Sequence, residues 1–191
     1  MIEAGMELAR MGGPDAVVLR EATRRVGVAP NAAYRHFGDR DALLAAVCVG
    51  AMDELARRMQ ARVKATPRRR KAADTAIARL KAIGSAYLEL AMQETGLFNT
   101  AFAVPRHLEY AVSGGGDEAG PTPFQLLGGA LDELVTAGVL PEVRRPHAEY
   151  PVWASVHGMA VLITQGPLRQ LPDQLLSQLN EQLFEFITRG V

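Results

Sequence analysis

Apolar residues recur at intervals of three and four along almost the whole chain, and this period constrains the fold most strongly. The segment of residues 172–188 shows it clearly, because its large apolar side chains fall on one stripe of a helix. No stretch alternates apolar and polar residues for long enough to predict a β-strand. The sequence therefore predicts an all-α protein of about nine helices, with three short helices at the amino end and longer ones after them.

Glycine and proline residues mark the expected ends of these helices. Pro141, Pro146 and Pro151 punctuate the stretch before the last two helices, and residues 113–121 have the composition of a flexible loop. The predicted helices cover about residues 2–11, 18–26, 30–37, 39–64, 72–94, 97–104, 124–137, 152–165 and 172–188.

The composition excludes several classes of protein. No apolar run approaches the roughly 20 residues that a membrane helix needs, and the amino end lacks the pattern of a secretory signal. The single cysteine, Cys48, excludes an internal disulfide framework, and its apolar helix face favours a place in the core. We therefore expect a soluble cytoplasmic protein with no membrane partner.

No pattern of catalytic or metal-binding residues stands out. His107, His147 and His157 lack the spacing of metal ligands. The sequence also has no P-loop, no dinucleotide-binding glycine fingerprint after a strand and no sign of an activated serine. We therefore predict no catalytic residues, no metal and no cofactor, and a protein that is not an enzyme.

Residues 19–37 have the dimensions of a helix-turn-helix, since two short helices flank a turn at Gly27. In such a unit the second helix enters the major groove of DNA, so its first turn must be slim. Pro30 suits the first turn of a helix, and Asn31 and Ala32 are slim. The Asn31 amide is a candidate partner for an adenine edge.

Polar and cationic side chains around this helix are candidate phosphate contacts, which fix the register of a protein on DNA. The predicted DNA-binding residues are Arg20, Arg24, Pro30, Asn31, Ala32, Tyr34, Arg35 and His36. The small core expected to hold the unit consists of Val26, Ala33, Phe37 and Leu43. The alternative interpretation is a structural three-helix bundle with no role in nucleic-acid binding.

A set of residues in this region resembles the signature of the TetR family of bacterial transcription regulators. The resemblance covers roughly residues 2–48 and is carried by Leu19-Arg20, Gly27-Val28, Tyr34-Arg35-His36-Phe37, and Asp39 with Asp41, Leu43 and Leu44. It implies a DNA-binding head at residues 1–48 and a helical effector-binding and dimerisation domain at residues 49–191. The motif Trp153-Ala154-Ser155-Val156-His157-Gly158 is similar to one in a branch of the family's C-terminal domains.

The chain departs from the family pattern in three places. Val18 and Ala29 stand where the family usually has hydroxyl residues that cap helices, and Thr23 replaces a small apolar residue. An apolar cap leaves first-turn N–H groups without a side-chain partner, typically at a cost of about 1 kcal/mol.

A two-fold DNA site calls for a two-fold protein, so we expect a homodimer on a pseudo-palindromic operator. The helix at 152–165 has two apolar stripes, which favours packing on its own core and on a partner, although both stripes could serve one internal core. The resemblance implies an interface built from the last two helices. The predicted interface residues are Val152, Val156, Met159, Ile163, Leu175, Leu179, Leu183 and Phe186.

Aromatic and apolar residues of the central helices could line a pocket for a small molecule, or could be plain core. The candidate pocket residues are Tyr87, Met92, Phe98, Phe102, Tyr110, Phe124, Leu127, Trp153 and His157. The resemblance implies a repressor released by an effector, and this composition suggests a small apolar or aromatic one. The alternatives are a helical small-molecule-binding protein or enzyme with a non-functional head, and a DNA-binding protein without an effector.

Overall fold

A computed structural model describes residues 1–28, 36–104 and 120–190 of the chain. In these ranges it contains α-helices and two 3₁₀ turns, and no β-strand, which confirms the all-α prediction. The eight described α-helices are α1 (Ile2–Gly12), α2 (Leu19–Val26), α3 (Arg40–Ala65), α4 (Ala72–Gln93), α5 (Thr95–Ala101), α6 (Pro123–Thr136), α7 (Glu149–Thr164) and α8 (Asp173–Gly190). The helix predicted at 30–37 and most of the loop predicted at 113–121 lie outside the described residues.

The helix α3 runs from the amino-terminal part of the protein into the rest of the bundle. Its first turn is capped by Asp39, whose carboxylate accepts a hydrogen bond of 2.8 Å from the N–H of Ala42. Apolar residues from Leu43 to Met59 bury one face of α3, and they belong to a single core that includes residues of α1 and α4. This helix spans the expected boundary at residue 48, so the division into two domains stays a prediction.

The remaining helices surround α4. It packs against α3, α6 and α7, and α5 closes the end of this bundle next to α1. The last helix, α8, packs against α4 and α7 and buries only Phe184 and Ile187. No described helix is both long and apolar enough to cross a membrane. Because few of its side chains are buried, most of the surface of α8 is exposed in the single chain.

Cys48 lies in the core, as its position on an apolar face predicts. Its side chain is fully buried, and the thiol donates a hydrogen bond of 2.9 Å to the carbonyl oxygen of Thr100. Burial raises the pKa of the Cys48 thiol to about 11, so the thiol stays protonated near neutral pH. This residue therefore joins α3 to α5 and has none of the properties of a reactive cysteine.

The helix α7 begins at Glu149, three residues before the predicted start at Val152. The sequence analysis places a break at Pro151, but this proline lies in the first helical turn. The N–H groups of a first turn have no partner within the helix, so proline costs little there. The other described helix ends lie within two residues of the predicted ones, except at α5, which begins and ends earlier than predicted.

Candidate DNA-binding head and effector cavity

The amino-terminal head is fixed to α3 by Arg40. The guanidinium of Arg40 donates hydrogen bonds to the carbonyl oxygens of Val17, at 3.1 Å, and Pro14, at 2.8 Å. It also lies 3.6 Å from the carboxylate of Asp15. These three partners belong to the turn between α1 and α2, so Arg40 connects the start of α3 to the turn that precedes α2.

Gly27 forms the turn after α2 that the sequence predicts. Its backbone is left-handed, with φ 74° and ψ 25°, a conformation that glycine adopts without steric cost. The N–H groups of Gly27 and Val28 both donate to the carbonyl oxygen of Thr23, at 3.0 and 3.2 Å. This arrangement ends α2 and satisfies one of its last carbonyl groups.

The described DNA-binding candidates lie on the surface of the head. Arg20, Arg24 and His36 are all exposed. The guanidinium of Arg24 donates two hydrogen bonds to the carboxylate of Glu21, at 2.9 and 2.7 Å, so it is held against α2. The other candidates lie outside the described residues, and their roles stay predictions; they are Pro30, Asn31, Ala32, Tyr34 and Arg35.

The inner face of α2 differs from the expected small core. Val26 is 45% exposed, so its predicted place in that core is wrong, because Leu19, Ala22 and Thr23 form the face of α2 that packs inward. The buried Thr23 hydroxyl donates a hydrogen bond of 2.7 Å to the carbonyl oxygen of Arg20, which satisfies its polar atom. Leu43 is fully buried as predicted, Phe37 packs against the core while partly exposed, and the fourth predicted member, Ala33, lies outside the described residues.

The cap that precedes α2 is apolar, as its sequence indicates. Val18 holds the N-cap position with extended backbone, makes no side-chain hydrogen bond there and is 42% exposed. The first N–H groups of α2 therefore rely on other partners, such as water.

The helices α3, α4, α6, α7 and α8 surround a small cavity of about 40 Å³. Its walls are almost wholly apolar, and only Lys81 and Thr188 contribute a charged or hydroxyl group outside the aromatic residues. The lining residues are Met52, Leu55, Met59, Leu80, Lys81, Ile83, Gly84, Tyr87, Phe102, Pro123, Phe124, Leu127, Val152, Trp153, Val156, Phe184, Ile187 and Thr188.

A chain of hydrogen bonds joins three aromatic side chains beside this cavity. The Tyr87 hydroxyl lies 2.6 Å from Nδ1 of His157 and accepts a hydrogen bond of 3.2 Å from Nε1–H of Trp153. Since a neutral imidazole has one acceptor nitrogen, the arrangement in which Tyr87 donates to Nδ1 places the proton of His157 on Nε2. Burial lowers the pKa of His157 and raises that of Tyr87, so both stay neutral at physiological pH.

The structure brings most of the predicted pocket residues together. Tyr87, Phe102, Phe124, Leu127 and Trp153 line the cavity. Phe98 and His157 stand behind that lining and contact its rings; the Phe98 ring centre is 5.4 Å from that of Tyr87, and the His157 centre is 4.9 Å from that of Phe102. Met92 does not line the cavity and is 40% exposed, and Tyr110 lies outside the described residues.

Comparisons with known proteins identify the family. A profile described as "Bacterial regulatory proteins, tetR family" matches residues 1–47, and one described as "Tetracyclin repressor-like, C-terminal domain" matches residues 80–188. The chain belongs to the TetR family. No curated protein matches this TetR-family chain. The C-terminal profile spans the Trp153-to-Gly158 segment, whose likeness to one branch of the family stays a prediction.

Two solved structures share the fold of this TetR-family protein. A protein of unknown function from Rhodococcus sp. RHA1 has a TM-score of 0.70 and 23% identity, over 96% of this chain and 91% of that one. A candidate transcriptional regulator from Pseudomonas aeruginosa PAO1 has a TM-score of 0.58 and 16% identity, over 99% of this chain and 88% of that one.

Several cavity residues of this TetR-family chain were not predicted from its sequence. Met52, Leu55 and Met59 come from α3, and Phe184 and Ile187 come from α8. The sequence predicts only that these residues belong to the core. A periodic apolar stripe shows which side of a helix is buried, but it does not show where the packing leaves a cavity. Among the described residues of the chain, no three potential metal ligands come together.

The predicted interface residues of this TetR-family chain fall into three groups by exposure. Val152, Val156 and Ile163 are buried in the protomer's own core, and the first two line the cavity, so they are not available to a partner. Met159, Leu179 and Leu183 are partly exposed. Leu175 and Phe186 are 40% and 69% exposed, and Leu162 of α7, which was not predicted, is 42% exposed.

The short helix α5 contacts both the cavity cluster and the head. On one side Phe98, together with Phe102 directly after the helix, packs against Tyr87 and His157. On the other side Gly96 lies so close to α1 that a Cβ atom there would collide with the carbonyl oxygen of Ala9. The helix α5 therefore lies in direct contact with both the aromatic cluster and the backbone of α1.

An ion-pair network reinforces this contact between α5 and the head. The Glu94 carboxylate, at the start of α5, accepts hydrogen bonds from Arg10 of α1, at 2.7 Å, and from Arg58 of α3. Burial opposes the ionisation of Glu94, but the hydrogen bonds from the two guanidinium groups prevail and hold its pKa below the usual value. Because the Glu94 carboxylate stays ionised at neutral pH, this charged network connects α1, α3 and α5 there.

Proposed function

We propose that this protein is a homodimeric, sequence-specific transcriptional repressor that leaves its operator when a small, mainly apolar effector binds. The observation that carries the proposal is the position of α5, which joins an apolar cavity to the DNA-binding head of a TetR-family chain. Its partners are then double-stranded DNA with a pseudo-palindromic sequence, a second copy of the chain and the effector. Its place is the cytoplasm, and it needs no catalytic group.

The coupling follows from the close packing around α5. An effector in the cavity displaces Phe102, which lines the cavity and also contacts Phe98. Because Gly96 leaves no space between α5 and α1, the shift of α5 has to move α1 and with it the head. The effector acts only if it binds the conformation with displaced heads more tightly than the DNA-binding conformation.

The proposed dimer interface lies on the outward sides of α7 and α8. On α8, Leu175, Leu179 and Phe186 fall on one helical stripe that points away from the buried Phe184 and Ile187. On α7, the outward side carries Leu162 and small residues, and a Cβ at Gly158 would meet open space. Small side chains allow another helix to approach closely, and the exposed apolar stripe supplies area to bury. The predicted Met159 and Leu183 border this face.

Substitution of one exposed residue tests the dimer. Phe186→Ser removes the most exposed large side chain of the stripe on α8, and we expect it to weaken self-association measured by sedimentation velocity. Val143→Ser is the matched control, because Val143 is 87% exposed and lies outside α7 and α8. If both variants self-associate as strongly as the unaltered protein does, the proposed interface is contradicted.

DNA binding is tested with the intergenic DNA that flanks the gene. We expect a specific, salt-sensitive complex in a gel-shift assay at low salt. Tyr34→Ala and His36→Ala should weaken binding to all sites similarly, whereas Asn31→Ala should relax the preference among sequences. Arg169→Ala is the control, since Arg169 is exposed and lies far along the chain from the head. The absence of any specific complex would contradict the proposed function.

A further inference from the structure

The cavity offers almost no hydrogen-bonding group to a ligand. Tyr87 and Trp153 line it with their rings, while the Tyr87 hydroxyl and the indole N–H of Trp153 are paired with each other, and the hydroxyl is also paired with His157. The hydroxyl of Thr188 donates a hydrogen bond of 2.8 Å to the carbonyl oxygen of Phe184. A ligand with several polar groups would therefore leave them unpaired inside the protein, which is costly.

One charged group lines this otherwise apolar site. Lys81 of α4 belongs to the cavity wall through its hydrocarbon stem, and because its side chain is one-third exposed, its ammonium lies at the edge of the cavity towards solvent. Its ammonium lies 3.5 Å from the carboxylate of Glu181 on α8, which is itself 71% exposed. An ammonium has three donors, and this long, solvent-exposed pair leaves the Lys81 ammonium able to bind a second carboxylate.

The small volume of the cavity favours a ligand of small cross-section that enters by displacing a side chain. The volume of about 40 Å³ is far below the roughly 300 Å³ of a typical small-molecule pocket. The ring of Phe184 lies against Gly84, at a place where a Cβ atom would collide with it, so this ring fills the groove that glycine leaves in α4. Because α8 buries only Phe184 and Ile187, a chain-like ligand can enter by displacing Phe184.

We infer that the cavity binds a slender aliphatic carboxylate, with its hydrocarbon chain among the apolar walls and its carboxylate on Lys81. This inference rests on the proposed function, since it names the chemical class of the effector. Burial of the chain supplies most of the affinity at roughly 0.8 kcal/mol for each CH₂ group. The ammonium of Lys81 supplies the selectivity for an anionic end over a neutral or cationic one.

Intrinsic fluorescence provides a direct binding assay, because Trp153 is the single tryptophan of the chain and lines the cavity. The probes are decanoate, decan-1-ol and decylamine, which share a chain and differ in the charge of the polar end. We expect decanoate to bind most tightly and decylamine most weakly. Lys81→Met should weaken decanoate binding about tenfold and leave decan-1-ol binding nearly unchanged, whereas Lys81→Arg should retain selectivity for decanoate.

The neighbouring carboxylate gives a second test in the opposite direction. Glu181→Gln frees the ammonium of Lys81 from its competitor, so we expect decanoate to bind several-fold more tightly, with decan-1-ol unaffected. Lys64→Met is the matched control, because Lys64 is exposed and does not line the cavity. It should leave the binding of all three probes unchanged.

The outcomes separate this inference from the proposed function. Equal binding of decanoate and decan-1-ol, unchanged decanoate binding by Lys81→Met, or no binding of any probe would overturn the inferred ligand class. Each of these results is compatible with specific binding to the operator and with its release by another compound. Failure to bind any operator, together with Lys81-dependent binding of decanoate, would instead overturn the proposed function and leave the ligand class standing.

Discussion

The hydrogen bonds of Tyr87 give the sharpest prediction about stability. Tyr87→Phe keeps the ring in the core but removes the hydroxyl that joins Trp153 and His157. Each polar group left unpaired in a buried site costs about 1–3 kcal/mol. Trp153 and His157 are each partly exposed, so water can reach some of their atoms. We therefore take the low end of this range, about 1 kcal/mol, for each of the two groups that lose the hydroxyl as a partner. The expected loss in free energy of unfolding is about 2 kcal/mol.

Urea unfolding followed by circular dichroism measures this loss, with equal protein concentrations because self-association adds to stability. Tyr150→Phe is the matched control, since Tyr150 is 49% exposed and the same atom is removed. We expect the control to change the free energy of unfolding by less than about 0.5 kcal/mol. If both variants change it equally, the hydrogen-bonded cluster contributes nothing to stability and the reasoning is refuted.

Three further predictions concern the head and the imidazole of the cluster. Gly96→Ala should lower the free energy of unfolding by about 2 kcal/mol or more, because the new Cβ collides with the carbonyl oxygen of Ala9, whereas Gly129→Ala on α6, into open space, should leave it unchanged or raise it in the same urea assay. Arg40→Gln should speed limited proteolysis between α1 and α2, since the carbonyl groups of that turn lose their donors; an unchanged cleavage rate would refute this role. Because burial lowers the pKa of His157 in the folded state, the protein should lose stability as the pH falls below about 6.5, and His157→Gln should lose less between about pH 7 and pH 5.5; equal slopes would exclude the effect.

The helices themselves could be predicted from the sequence because their determinants are local. Gly27 ends α2 through a left-handed turn, and Asp39 caps α3, and both roles follow from residue type and position. The sequence predicts that α7 starts after Pro151, whereas the helix starts at Glu149, because proline is compatible both with a break and with a first helical turn. The sequence pattern alone does not distinguish these two positions.

The site could be predicted only in part, because it depends on packing between distant segments. The pairing of Tyr87 with His157 joins residues 70 positions apart, so no local pattern reveals it. Val152 and Val156 form an apolar stripe, and such a stripe contacts either the protomer's own core or a partner; here it faces the core. The sequence predicts only an ordinary surface position for Lys81, because the cavity beside it forms from distant segments of the chain.

The most direct measurement is a nuclease footprint of the protein on the intergenic DNA that flanks its gene. The account predicts one protected region with two symmetric half-sites, spaced by one or more turns of the double helix at about 34 Å each. Two chains should occupy this protected region together, and decanoate should abolish the protection that the unaltered protein gives to the DNA. The account would be contradicted if DNA of unrelated sequence were protected at the same protein concentration as the flanking DNA, or if the footprint lacked symmetry.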